Sequence, residues 1–314
     1  MRVFLVFAVL AGSIVALSCG RTTSTGISLD RELRPYVPSD ANVLAGIDID
    51  RLKPTSLYQR HQSSLNFPLL DASSERIGLD PRRDLSRVLM AWNGKDALFA
   101  ARGHFSASVV QQKLAAVGVK PAAYEHYTLL AIDRTALVFP KDSIAVAGST
   151  QAVRGLLDTD IQREGSVPEE LQQRLQSIPK GDQIWAVSRV GLPFGEVSMR
   201  SDYESALSNI AGYVRGTSLG VGIDTGAHLT AELTCVSAQG AQRVHDGLRA
   251  AVALGRLTTK DNEQDLLRIY DAIQVSQDRE SVHVRADFQS DLADKLIAYL
   301  SDLKLPAGIR PNAR

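Results

Sequence analysis

Apolar positions in this chain change period at regular intervals, and the changes mark elements. From Arg87 to Leu114, RVLMAWNGKDALFAARGHFSASVVQQKL, two apolar runs flank Asn93-Gly94, after which Val109, Val110, Leu114 and Val117 recur at helical spacing. An Asn-Gly pair between apolar runs signals a tight hairpin, because the favoured two-residue turn needs positive φ at both positions. Ser106 stands where a helix N-cap belongs, since its hydroxyl can accept a bond from an unpaired first-turn N–H. The segment predicts strand, turn, strand, capped helix.

The same order returns from Ser218 to Leu248. There the apolar runs are split at Asp224-Thr225-Gly226, Ser237 is the cap, and Val244, Leu248, Ala251 and Val252 share one helical face. The match extends outward. Asn42–Leu52 answers to Gln183–Leu192 as an opening strand, and Ser143–Asp158 answers to Ser281–Leu300 as closing strand and amphipathic helix. Strands around 137–139 and 273–275 complete hairpins, so each half reads β, α, β, β, α, β, β, α. Gly155 weakens the first closing helix by about 1 kcal/mol relative to alanine. Hairpins followed by helices bury one sheet face under the helices. The expected fold class is α+β, two tandem modules of antiparallel hairpins with packed helices, an internal duplication. The modules span 33–159 and 183–301, joined by 160–182 with a short helix capped at Ser166, and residues 302–314 form a frayed tail. One sheet or two is left open.

The N-terminus has another pattern. Arg2 precedes an uncharged apolar or small run from Val3 to Leu17, shorter than the roughly 20 residues a spanning helix needs, and shaped like a signal-peptide core over residues 1–18. Val15-Ala16-Leu17-Ser18-Cys19 resembles the lipobox of bacterial lipoproteins, with Ala16 where that family favours leucine. The resemblance implies cleavage before Cys19 and lipid attachment to its sulfur and new amino group. Two acyl signals on one residue hold stably, where one chain binds marginally. Ala16-Leu17-Ser18 also reads as an ordinary signal-peptidase site, whose use would release a soluble protein. Residues 19–32, rich in Thr, Ser and Gly, read as a flexible tether. Gly20 is not the aspartate that retains many such proteins at the inner membrane, which implies the cell envelope, outer membrane facing the periplasm, in a two-membrane bacterium.

Composition removes some classes. The chain has 314 residues, 44% hydrophobic, with 35 basic and 35 acidic side chains, so it can bury a sizeable core. It lacks the concentrated basic footprint of nucleic-acid binding. Of its two cysteines, Cys235 lies in an alternating run without basic neighbours and reads as a small buried hydrophobe. Asp48-Ile49-Asp50 follows a strand, where residues two apart share a side and two carboxylates can converge on a hard cation. The blander reading, Asp48 in solvent and Asp50 capping the turn at Arg51, is preferred, and no metal is assigned. Gly220-Val221-Gly222 lies inside a strand, marking a bulge or close backbone approach rather than a phosphate loop. The histidines show no ligand spacing. Trp92 and Trp185 read as core, and Asp80–Arg87 as a solvated connection.

These features point to a lipid-anchored envelope protein, a non-enzymatic binding or scaffolding module with no cofactor, attached at Cys19 and offering a surface to a protein, glycan or lipid. The alternatives are an exported enzyme assembled from scattered residues, with Asp48, Asp50 and His104 as first candidates, and a carrier of a hydrophobic ligand.

Overall fold

The computed structural model describes residues 26–62, 79–158, 167–191 and 210–302. Cys19, the signal segment, Ser166 and the C-terminal tail lie outside the described residues.

Both modules share one antiparallel sheet. The first contributes β1 (Val43–Asp48), β2 (Leu85–Trp92), β3 (Ala97–Gly103), β4 (Pro121–Tyr124), β5 (Tyr127–Ile132), β6 (Thr135–Lys141) and β7 (Ile144–Ser149). The second contributes β8 (Ile184–Ser188), β9 (Val214–Ile223), β10 (Ala227–Cys235), β11 (Ile273–Asp278) and β12 (Ser281–Phe288). The strand order is β11-β12-β10-β9-β8-β1-β2-β3-β7-β6-β5-β4. Read outward from the β1–β8 seam, β2, β3, β7 and β6 are matched by β9, β10, β12 and β11. The fold is therefore α+β and internally duplicated, with the opening strands of the two halves paired at the centre. Leu44 sits opposite Val187 and Gly46 opposite Trp185 across that seam.

The helices are α1 (Ile49–Leu52), α2 (Ser56–His61), α3 (Pro81–Asp84), α4 (Ala107–Ala116), α5 (Thr150–Asp158), α6 (Glu169–Leu175), α7 (Ala238–Thr258), α8 (Gln264–Asp271) and α9 (Ser290–Asp302). Ser237 caps α7 by accepting from Gly240 N. Ser106 sits at the N-cap of α4 but makes no capping bond, its hydroxyl meeting that of Ser108 at 2.9 Å. Residues 80–87 are not a plain loop, since Asp80 accepts from Arg82 N and starts α3.

Alternation along the strands assigns the faces. One face carries Leu44, Leu89, Ala100, Val138, Val146 and Val187 in one buried cluster, covered by α5, α6 and an N-terminal arm of residues 27–41. The arm bears Ile27, Leu33, Tyr36 and Val37, all buried. Burying a large aliphatic side chain contributes about 2–3 kcal/mol, so residues 26–32, expected within the flexible tether, are instead tied to the core through Ile27 and Leu29, with Ser28, Arg31 and Glu32 left exposed. The opposite face packs α4 on Leu130 and α7 on Leu233 and Val282. There α8 and α9 cover Ala286 and Phe288. The two closing helices, α5 and α9, thus lie on opposite faces although their strands correspond.

Two elements break the expected symmetry. The β4–β5 hairpin is an addition to the first half, occupying the place in chain order that α8 takes in the second. The helix expected after β8 lies outside the described residues.

Candidate functional site

The strand ends beneath the arm hold the densest charge chemistry. Asp30, in the arm, accepts from Arg87 Nη1 at 2.6 Å, Arg102 Nε at 3.1 Å and Glu32 N at 2.9 Å. Arg87 and Arg102 stand in register on β2 and β3, so one carboxylate bridges two guanidiniums. Burial by itself would raise the Asp30 carboxyl, but the hydrogen bonds from Arg87 and Glu32 N, with the Arg102 and Arg87 charges, hold it below the ordinary carboxylate range. Asp48 closes the chain of charges, its Oδ2 accepting from Arg87 Nε at 3.2 Å.

A hollow of about 550 Å³ opens between arm and strand ends, bordered by Leu29, Asp30, Asp48, Arg51, Arg87 and Trp185 among others. Asp30, Asp48 and Arg87 are spent on charged partners. Arg51 donates to Lys180 O and Gly181 O, at 2.8 and 2.9 Å. Trp185 lies over Gly46, where an added Cβ would come 2.4 Å from the indole, so glycine is required there.

The linker ends in a second arrangement. Asp182 is fully buried, with Oδ1 2.8 Å from His228 Nε2 and Oδ2 without a partner. Burial raises its pKa, against the hydrogen bond and charge of His228 and the charge of Arg51. The imidazole lies on Gly222 and the carboxylate on Gly220; a Cβ would fall 1.9 Å from the ring and 2.1 Å from Oδ2 respectively. The Gly-Val-Gly segment is thus a close approach, as its place inside a strand suggests, with two side chains lying on bare backbone. His228 faces an open depression of about 690 Å³ lined by Thr55, Gln183, Thr225 and Ser290. A carboxylate-oriented imidazole is half of an acid–base pair. Among the described residues no nucleophile is bonded to it.

The residues singled out in sequence fall apart. Asp48, not Asp50, caps the turn, accepting from Arg51 N, because the strand stops at Asp48 and a helical turn starts at Ile49. The two-residue period that would align the carboxylates ends there, and Asp50 is exposed. His104 is exposed on the loop before α4, its N–H bonded to Asp84 O. The described residues contain no cluster of His, Cys, Asp or Glu suited to a metal. Cys235 is buried, its thiol pushed up by burial and then by Glu280. The Asp182–His228 pair escaped sequence reading because its partners lie on different elements, and only the glycines beneath them gave a signal.

No family model matches the chain, and no curated protein does. Its fold is shared by solved structures of TP0453. Crystal form III has a TM-score of 0.50 at 12% identity, covering 88% of this chain and 99% of that one. Crystal form IV has a TM-score of 0.51 at 12% identity, with 87% and 97% covered. At that identity the likeness shows the fold alone.

Proposed function

We propose that the chain is a lipoprotein of the bacterial cell envelope, acylated at Cys19, whose duplicated sheet serves as a non-enzymatic binding or scaffolding platform held close to the bilayer. The observation that carries this reading is the built-in arm. Gly26 bridges Pro179, and Ile27 N donates to Leu175 O at 3.0 Å. Only residues 20–25 are left between lipid and body, about 20 Å at full extension. A mooring this short limits which surface meets the membrane, which suits a platform presenting one side to a partner. Intact-mass analysis of the membrane fraction tests the anchor. The mature chain should begin at Cys19 with added acyl mass, and Cys19→Ser should lose both the acyl mass and the membrane association. A mature chain without lipid, starting elsewhere, overturns the reading.

A second reading, an exported acid–base enzyme, is favoured by one observation, the imidazole oriented by buried Asp182. It predicts that a hydrolytic or isomerase activity, once found in a substrate screen, falls at least a hundredfold in His228→Gln.

A further inference from the structure

Beside the arm's exit, three arginines outnumber the two carboxylates near them, Glu170 and Glu232, whose charges act on Arg174. Arg174, Arg189 and Arg215 border a hollow of about 470 Å³, and none of them makes an ion pair among the described residues. Each is placed by a different device. Arg174, in the last turn of α6, lies flat on Gly216, where a Cβ would fall 2.3 Å from Nη2, and its Nη1 donates to Thr234 Oγ1 at 2.9 Å. Packing and a neutral hydroxyl hold it, and its Nε is buried without a partner. Arg189 donates to Asn42 Oδ1 and Asp40 O. Arg215 is the extra residue of a bulge, since Thr234 pairs with Gly216 and Cys235 with Val214. A bulge re-aims the side chain it carries, and here it brings Arg215 beside Arg174 instead of leaving it to alternate away.

The lining is net positive, three arginines against Glu170 and Glu232, and Glu232 accepts from Ser281 Oγ at 3.2 Å. The site is also close to the mooring. Arg174 directly precedes Leu175, which pairs with Ile27, and Gly26 lies against Gln176.

We propose that Arg174, Arg189 and Arg215 bind the phosphate of an anionic lipid headgroup in the bilayer to which the chain is moored. A guanidinium binds phosphate oxygens by charge-assisted hydrogen bonds, and three of them beside a short tether reach the headgroup layer together, Arg174 and Arg189 held in place and Arg215 re-aimed by the bulge. The location rests on the anchor proposed above; the binding chemistry does not.

Residues 20–314 contain every described residue and lack both the signal segment and Cys19, so vesicle binding by this chain reads the triad without the lipid. Vesicles of phosphatidylglycerol in phosphatidylcholine should bind it, and pure phosphatidylcholine should bind it poorly. Arg215→Gln and Arg189→Gln should each weaken binding about fivefold, the usual effect of one basic side chain near an anionic surface. Arg174→Gln should do the same if it folds, and Lys113→Gln on α4 should change nothing. Phosphatidylglycerol binding unaltered in Arg215→Gln and Arg189→Gln, or absent in the parent chain, overturns the proposal. Saturable binding of inorganic phosphate without vesicle binding overturns the lipid as its source. The anchor stands or falls separately, on the mass at Cys19.

Discussion

Replacing Asp30 by asparagine tests how the arm is held. Asp30 takes two hydrogen bonds and one further ion-pair contact from two guanidiniums, and one hydrogen bond from a backbone N–H. Asparagine keeps one carbonyl acceptor and loses the charge, leaving Arg87 and Arg102 adjacent across β2 and β3. Breaking a fully buried pair costs about 3–5 kcal/mol, but both arginines keep a second carboxylate. Arg87 has Asp48 at 3.2 Å and Arg102 has Glu32 at 4.0 Å. The loss should therefore be about 2–3 kcal/mol, near that of one or two charge-assisted bonds, and should lower Tm by about 4–8 °C. The pH dependence fixes the cause. The folded pKa of Asp30 is lowered, so its contribution is full above the unfolded value of about 3.9 and is lost as pH falls through the folded value. Differential scanning fluorimetry should show a wide gap between parent and variant at pH 7 that closes towards pH 3. Limited trypsin digestion should cut the variant faster after Arg31, which the parent holds beside the packed arm; Arg34 precedes Pro35 and resists the protease in both. A gap of equal size at pH 7 and pH 3, or unchanged cleavage after Arg31, refutes the electrostatic lock.

Gly222→Ala places a methyl inside the His228 ring and should cost about 1–3 kcal/mol in a urea titration; adding His228→Ala should recover part of it, and strict additivity counts against the close approach. Asp182 has a raised folded pKa, so its ionisation makes stability fall as pH rises from about 3.9 through the folded value. In Asp182→Asn that fall should vanish from Tm measured between pH 4 and 7, and parallel parent and variant curves contradict the assignment. Cys235 is buried with a raised thiol pKa, so a thiol reagent should modify it only after denaturation; prompt reaction in the native protein shows the site is open.

Local chemistry was legible where one residue type carries one conformation. The hairpin at Asn93-Gly94 forms with Gly94 at φ +102°, though its turn takes four residues, 93–96, and Asn93 stays outside positive φ; Ser237 caps α7 as its position foretells. The β4–β5 hairpin was missed because its turns use Glu125 and Asp133 at φ 51° and 54°. Neither turn offers the glycine that usually announces positive φ. The cap falls to Asp48 instead of the expected Asp50, because a two-residue period says nothing about where the strand stops.

The candidate site was less legible still. Asp30, Arg87 and Arg102 are ordinary charges in sequence, 57 and 72 residues apart in their pairings, and only chain crossing brings them together. The Gly220 and Gly222 spacing did point to close contact, though not to Asp182 and His228 as the groups making it.

What the amino-acid order determined alone was periodic and local: turns, caps, the alternation of each strand, and the repeat of one hairpin-helix unit. Such features arise from interactions a few residues long. The tertiary structure decided that the two units share a single sheet, that the arm belongs to its core, that the closing helices take opposite faces, and that a bulge turns Arg215 towards Arg174. Those outcomes depend on which distant surfaces exclude water from one another, a competition that no short stretch of sequence contains.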